Sequence, residues 1–218
     1  MIAWITVLKL WLLSFLFCLA QSVTAFGQTP PMDQMKQTVG RVVQILQEPA
    51  SNAGDVKAER RQMIREVLLP RFDFAEMAKR TLGAHWKNQS GRQEEFVSAF
   101  ADFVESSYLN TLESYKGEKV VYLRERVEQN LAQVDTQLVP ASGEPVSVSY
   151  KLHLAGGEWK TYDVVIENIG LVNNFRSQFN RILVTSSFDE LLAKLRAKGS
   201  GASTTTYVTA QGKPRGEH

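Results

Sequence analysis

The chain is poor in the residues that most often carry chemistry. It holds one cysteine, Cys18, and three histidines, His85, His153 and His218, in 218 residues. No two histidines stand at ligand spacing, so no metal centre is expected. Gly-x-Ser-x-Gly, the Walker loop, His-Glu-x-x-His and the dinucleotide fingerprint are all missing, so no catalytic residue and no cofactor are assigned. Charge of one sign is also lacking. Twenty-five basic against 23 acidic residues leave a formal charge of +2, and no basic stripe carries interleaved aromatics. That argues against a nucleic-acid partner. Arg60-Arg61 and Arg124-x-Arg126 are flanked by glutamates and read as solvated faces.

What is present begins with an address. Lys9 is the sole charge before an apolar run from Leu10 to Ala20, and Val23-Thr24-Ala25 supplies the small-residue pattern that signal peptidase reads. Residues 1–25 are expected to form a signal peptide cleaved after Ala25. The run is short for a permanent span and has no stop-transfer pattern; an uncleaved anchor is the rival reading. Phe17 precedes Cys18 where a lipoprotein signal needs a small residue. Cleavage removes Cys18, which excludes disulfides, thiolate metal sites and a thiol nucleophile from the mature chain. Such a chain is held by its core alone, and its length permits one. A hydrophobic fraction of 44% supplies the material.

Helical periodicity follows. Phe26 to Asp33 reads as a loose leader, with Pro30-Pro31 blocking early helix. Met35, Val39, Val42, Val43 and Leu46 mark a first helix ended by Glu48-Pro49. Asp55 is a candidate cap for a second, with Met63, Ile64, Val67 and Leu68 on its face and Pro70 as its stop. Asp73 is a good N-cap for a short helix through Ala75, Met77 and Ala78, ended by Gly83. Phe72 is placed to pack back on Met77. Ser90 is expected to open the longest helix, with Phe96, Phe100, Phe103, Val104, Tyr108, Leu112 and Tyr115 on one face and its exit at Gly117.

From Lys119 the period becomes two. Val121, Leu123 and Val127 form one apolar set, and Ala132, Val134, Thr136 and Leu138 the next. Val146, Val148, Tyr150, Leu152 and Leu154 follow, then Tyr162, Val164 and Ile166. Ser142-Gly143-Glu144-Pro145 and Ala155-Gly156-Gly157 supply turns. The pattern describes an antiparallel meander of four strands with one apolar face. His153 falls on the polar face and is expected in solvent; His85, beside Trp86, reads as a loop or core-edge residue. Helix returns from Leu171 or Val172, with Phe175, Phe179, Ile182 and Leu183 inward. Ser187 caps a last helix bearing Leu191, Leu192 and Leu195. Residues 199–218 are small and polar and are expected to be a disordered tail. Helices, meander and helices again make an α+β domain over residues 26–198, and the pattern allows an NTF2-like curved sheet wrapped by a long helix.

Three polar residues have two readings each. Asp163 and Arg176 could serve as an acid and a charge clamp in a pocket. Alternatively, they tie strand to helix, as an ion pair or with Arg176 on backbone carbonyls. Asp73 divides the same way, with capping as the plainer role. The aromatic face of the long helix is equally a filled core or a cavity wall.

Several segments in order resemble one family. They are Leu69-Pro70-Arg71-Phe72-Asp73-Phe74, Leu82-Gly83-x-x-Trp86, the Phe96–Tyr115 helix, Val148-x-Tyr150-x-Leu152, Trp159-Lys160-x-Tyr162-Asp163-Val164 and Asn174-Phe175-Arg176-Ser177-Gln178-Phe179. Together, from about Met35 to Leu195, they resemble the MlaC (toluene-tolerance) periplasmic lipid carriers. Where that family often shows Ile-Glu-Gly-Val-Ser-Leu, this chain has Ile166-Glu167-Asn168-Ile169-Gly170-Leu171, a change confined to a turn.

The resemblance implies an NTF2-like unit with a small helical subdomain and acyl tails in its interior. It further implies a periplasmic phospholipid carrier that maintains outer-membrane lipid asymmetry. Its partners would be an outer-membrane lipoprotein complex and an inner-membrane ABC transporter with MCE-type rings, and no catalysis would be required. Given that role, alternation suggests Phe100, Phe103, Val104 and Tyr108 from the long helix, with Tyr150, Leu152, Val164 and Ile166 from the sheet, as the lipid-binding wall. Two other readings stay open: an NTF2-like enzyme using Asp163 on a small hydrophobic substrate, and an envelope adaptor that carries nothing. Monomer is the default for a shuttle.

Overall fold

The computed structural model describes residues 29–48, 56–113 and 115–199. The signal peptide and its cleavage site, the Asp55 cap and the tail beyond Gly199 lie outside them. The helices are α1 (Pro31–Gln47), α2 (Val56–Leu68), α3 (Phe74–Leu82), α4 (Gln93–Glu113), α5 (Leu171–Thr185) and α6 (Phe188–Gly199). Short 3₁₀ segments, Leu69–Arg71 and Gly83–Gln89, flank α3. The strands β1 (Lys119–Glu128), β2 (Leu131–Val139), β3 (Val146–Ala155), β4 (Glu158–Ile166) and β5 (Ile169–Gly170) make one antiparallel sheet in chain order. No described helix is long and apolar enough to cross a membrane.

Most boundaries follow local chemistry. Asp73 caps α3, accepting the Glu76 amide at 2.8 Å, and Gly83 ends that helix at φ 55°. The Ser187 hydroxyl accepts the Glu190 amide at the start of α6. Three expectations shift. Pro31 does not delay the first helix; it is its first residue, a position whose amide would be unpaired anyway. Likewise α4 starts at Gln93 rather than Ser90, because Ser90–Arg92 make a turn with Gly91 at φ 100°. Gly199, assigned to the tail, is the last residue of α6, and its carbonyl accepts the Ser106 hydroxyl of α4.

The meander is real, with a two-residue fifth strand added. Glu167 and Asn168 both hold positive φ, 47° and 68°, in the two-residue β4–β5 turn. Asparagine tolerates that conformation better than most residues. This accounts for Asn168 at a place where the family that the chain resembles often has glycine.

Two bulges break simple alternation. In β1, Tyr122 opposes Thr136 but Arg124 opposes Asp135, so Leu123 is the extra residue. Val121 and Leu123 therefore lie exposed, at 41% and 55%, and Val120 and Tyr122 face inward with Leu138 and Thr136. Val127 returns to the inner side opposite Ala132, yet stays 47% exposed. In β4, Thr161 opposes Leu152 and Asp163 opposes Lys151, leaving Tyr162 extra. Thr161 thus takes the inward place expected of Tyr162.

Three apolar clusters organise the molecule. The largest joins α3, α4, α5 and α6 around a phenylalanine array. Phe96 stacks on Phe100, Phe175 stacks on Phe179, and the two stacks meet edge to face with centroids 5.8–6.2 Å apart. A second cluster, Val42, Ile45 and Ile64, joins α1 to α2. The third sits on the sheet: Ala132, Val134, Leu152 and Trp159, covered by Met32 and Met35 from α1.

Candidate functional site

Between the inner face of the sheet and the helices lies a cavity of about 440 Å³. Val120, Leu138, Val148, Tyr150, Leu152, Val164 and Ile166 form its floor. Met35, Val39, Val42, Val43 and Leu46 of α1 form the opposite wall, and Val104 and Tyr108 come from α4. Phe72 and Phe74, stacked at 5.8 Å, close one side. Such a lining follows from sequence: α1 presents an apolar stripe at helical spacing, and β2–β4 present theirs at period two.

Of the eight wall residues expected, Val104, Tyr108, Tyr150, Leu152, Val164 and Ile166 line this cavity. Phe100 and Phe103 do not. They are 0% and 3% exposed and belong to the phenylalanine array, with Phe103 edge-on to Phe175 at 5.4 Å. Helix α4 turns only its Val104–Tyr108 side to the cavity, because α5 and α6 cover the Phe100–Phe103 side. Missing from the expected set were α1, the Phe72–Phe74 turn, Trp159 and the sheet residues Val120, Leu138 and Val148. The signal was present in the stripe Met35, Val39, Val42, Val43 and Leu46, but periodicity alone does not say that a stripe faces empty space.

Polar groups are few and mostly satisfied. The Thr38 hydroxyl donates to the Gln34 carbonyl and the Thr136 hydroxyl to the Val148 carbonyl, both at 2.9 Å. Burial pushes the phenols of Tyr108 and Tyr150 up to about 12, so both stay neutral donors at ordinary pH. Three charged side chains, Arg71, Glu105 and Glu118, border the cavity. Arg71 lies near the start of β4, paired with Glu158 at 3.3 Å. Glu105 of α4 is paired with Arg65 at 2.8 Å, and Glu118 lies just before β1, at the end of the sheet away from the start of β4. No metal-binding group of His, Cys, Asp or Glu occurs among the described residues.

The suspected acid is elsewhere. Asp163 is buried on the opposite side of the sheet, where its Oδ1 accepts the Val172 amide at 3.0 Å and its Oδ2 holds Lys151 at 3.2 Å. Arg176 does not pair with it; its Nε donates to the Arg80 carbonyl at 2.7 Å. Both therefore anchor α5, Asp163 to β4 and Arg176 to α3. His153 is not free in solvent: it bonds Asp73 at 2.9 Å and meets Tyr162 edge-on.

The MlaC protein family model matches residues 36–197. The chain belongs to the MlaC family. A relative from Haemophilus influenzae, the intermembrane phospholipid transport system binding protein MlaC, is 25% identical over 203 residues, covering 90% of this chain and 93% of the relative. A phospholipid-binding protein from Ralstonia solanacearum, solved with a phospholipid at 1.53 Å, superposes with a TM-score of 0.67. It shares 20% identity and covers 79% of this chain and 98% of its own, a likeness of fold. In this member of the MlaC family, then, the α+β fold keeps an apolar chamber beside a fully packed helical core.

Proposed function

We propose that this chain is a periplasmic phospholipid carrier that shelters acyl tails in the chamber between sheet and α1. It would shuttle lipid between an outer-membrane lipoprotein complex and an inner-membrane MCE-type ABC transporter, maintaining outer-membrane lipid asymmetry. The observation that carries this reading is the chamber itself: about 440 Å³, lined mainly by Val, Leu, Ile, Met, Phe and Tyr, in a chain of the MlaC family. Its volume falls within the range of known small-molecule sites. The names of the two relatives, one a phospholipid transport protein and one a phospholipid-binding protein, support the ligand class.

Energetics favour such a device. Each buried methylene is worth about 0.8 kcal/mol, so two acyl chains represent on the order of 20 kcal/mol of gross burial. A carrier must match that environment without greatly exceeding it, or the lipid would never unload. An apolar wall with few polar anchors meets both demands. Polar links from α1 to the sheet include Met32 N to Glu125 and the Gln34–Trp159 pair. A wall held largely by apolar contact can ride outward to admit tails.

The test is lipid retention by wall variants. Val164→Asp is expected to lose copurifying phospholipid, read by native mass spectrometry, and to keep the circular dichroism of the parent. A folded Val164→Asp protein that still carries a full complement of phospholipid would remove Val164 from the site.

A further inference from the structure

The chamber is chemically polarised along its length, and that polarity assigns an orientation to its contents. Among the described residues lining it, Arg71 is the sole cation, and it lies at the end where β4 begins. The Leu69–Arg71 turn is pinned there. Lys160 Nζ donates to the Pro70 carbonyl at 2.6 Å, Arg71 reaches Glu158 at 3.3 Å, and Phe72 bridges to Thr161. Trp159 stands between these contacts on the inward side. Its backbone amide and carbonyl are both satisfied by Gln34, at 3.1 and 2.6 Å. Its indole Nε1–H, on a side chain only 3% exposed, has no acceptor. A buried donor without a partner is unusual enough to call for one. Glu118, just before β1, lines the chamber at the other end of the sheet, where its carboxylate disfavours an anion.

We propose that the phosphate and glycerol-ester region of the bound lipid sits at the Arg71–Trp159 end, with the tails running along the floor toward Tyr108, Val148 and Ile166. This rests on the carrier reading. The Arg71 guanidinium takes the phosphate, for which its planar fork is suited, and the Trp159 indole donates to an ester carbonyl once Met32 and Met35 shift. Arg71 is free to change partners at low cost. Its side chain is 35% exposed, its bond to Glu158 is solvent-screened, and Glu158 keeps Lys160 at 2.8 Å when Arg71 leaves.

Lipid-stripped protein is offered vesicles containing equal amounts of phosphatidylglycerol and diacylglycerol with the same acyl chains, and captured species are counted by native mass spectrometry. Wild type is expected to favour the phospholipid. Arg71→Gln lowers the phospholipid-to-diacylglycerol ratio by about three- to tenfold, the effect of one partly exposed charge-assisted hydrogen bond. Arg71→Lys restores most of that ratio, Trp159→Phe lowers total uptake without reversing the preference, and Lys194→Gln, a distant charge loss on α6, matches wild type. An Arg71→Gln protein with the wild-type ratio, or a wild type that takes both lipids equally, overturns the orientation and leaves the carrier reading standing. A wild type that takes neither lipid overturns both.

Discussion

Two regions of this molecule use the same residue types to opposite ends. Around α4, phenylalanines interlock ring on ring until Phe96 and Phe100 have no exposed surface. Beneath α1, valines, leucines and tyrosines stand around about 440 Å³ of unfilled space. Composition does not separate the two; topology does. The array is closed from several sides by α3, α5 and α6, whereas the chamber lies between a sheet and a helix that touch at their margins. An apolar surface becomes a binding wall when the fold gives it no protein partner.

That contrast can be broken first in the filled region. Phe100→Ala should cost about 3–5 kcal/mol, since rings packed from all sides cannot close a new hole; chemical denaturation of ligand-free protein measures it. Filling supplies the sharpest opposition. Ala99→Phe, buried at 4% exposure inside the array, is expected to destabilise by about 1–3 kcal/mol through overpacking. Val148→Phe should leave ligand-free stability nearly unchanged, because the added ring enters empty space, while it lowers lipid uptake from vesicles. Equal destabilisation by the two substitutions would mean the chamber is as tightly packed as the array.

Smaller effects test how the chamber's border is held. Asp73 both caps α3 and holds His153. Asp73→Ala should cost about 1 kcal/mol through the lost cap, while Asp73→Asn, which keeps an accepting oxygen, should retain most of it. At high pH the buried phenols matter. Tyr150 ionises near 12 in the folded protein, against about 10 when unfolded. Its contribution is whole below about 10 and is lost as the pH climbs through 12. Tyr150→Phe should flatten that decline in denaturation curves.

The least effect is expected at Asp135. Burial opposes its ionisation, but hydrogen bonds from Gln133, Ser149 and Arg124 outweigh burial and hold the carboxyl below its usual range. Its stabilisation is present above about pH 4 and disappears as the pH falls through the lower folded value. Asp135→Asn should weaken the acid-side slope by less than about 1 kcal/mol, since Arg124 is exposed.

Much of this architecture was legible in the residues. Asp73, Gly83 and Ser187 marked helix ends, and alternation gave the inward faces of β2 and β3. Both bulges were illegible, because an extra residue in a strand leaves no mark on composition. One consequence was to expose Val121 and Leu123; the other was to replace Tyr162 by Thr161 on the inner face. The site was only partly legible for a related reason. Six of the eight expected wall residues line the chamber, but Phe100 and Phe103 look the same in sequence as Val104 and Tyr108. Which side of α4 meets α5 and α6, and which meets space, is decided by contacts far apart in the chain.

Occupancy of the chamber by acyl tails decides the function proposed for this protein. Native mass spectrometry of the protein, expressed in a cell envelope and purified without detergent or added lipid, tests it most directly. One diacyl phospholipid per chain, displaced in Val148→Phe and retained in a folded Lys194→Gln control, is the predicted result. A chain that is consistently empty, or whose lipid is indifferent to Val148→Phe, would contradict it.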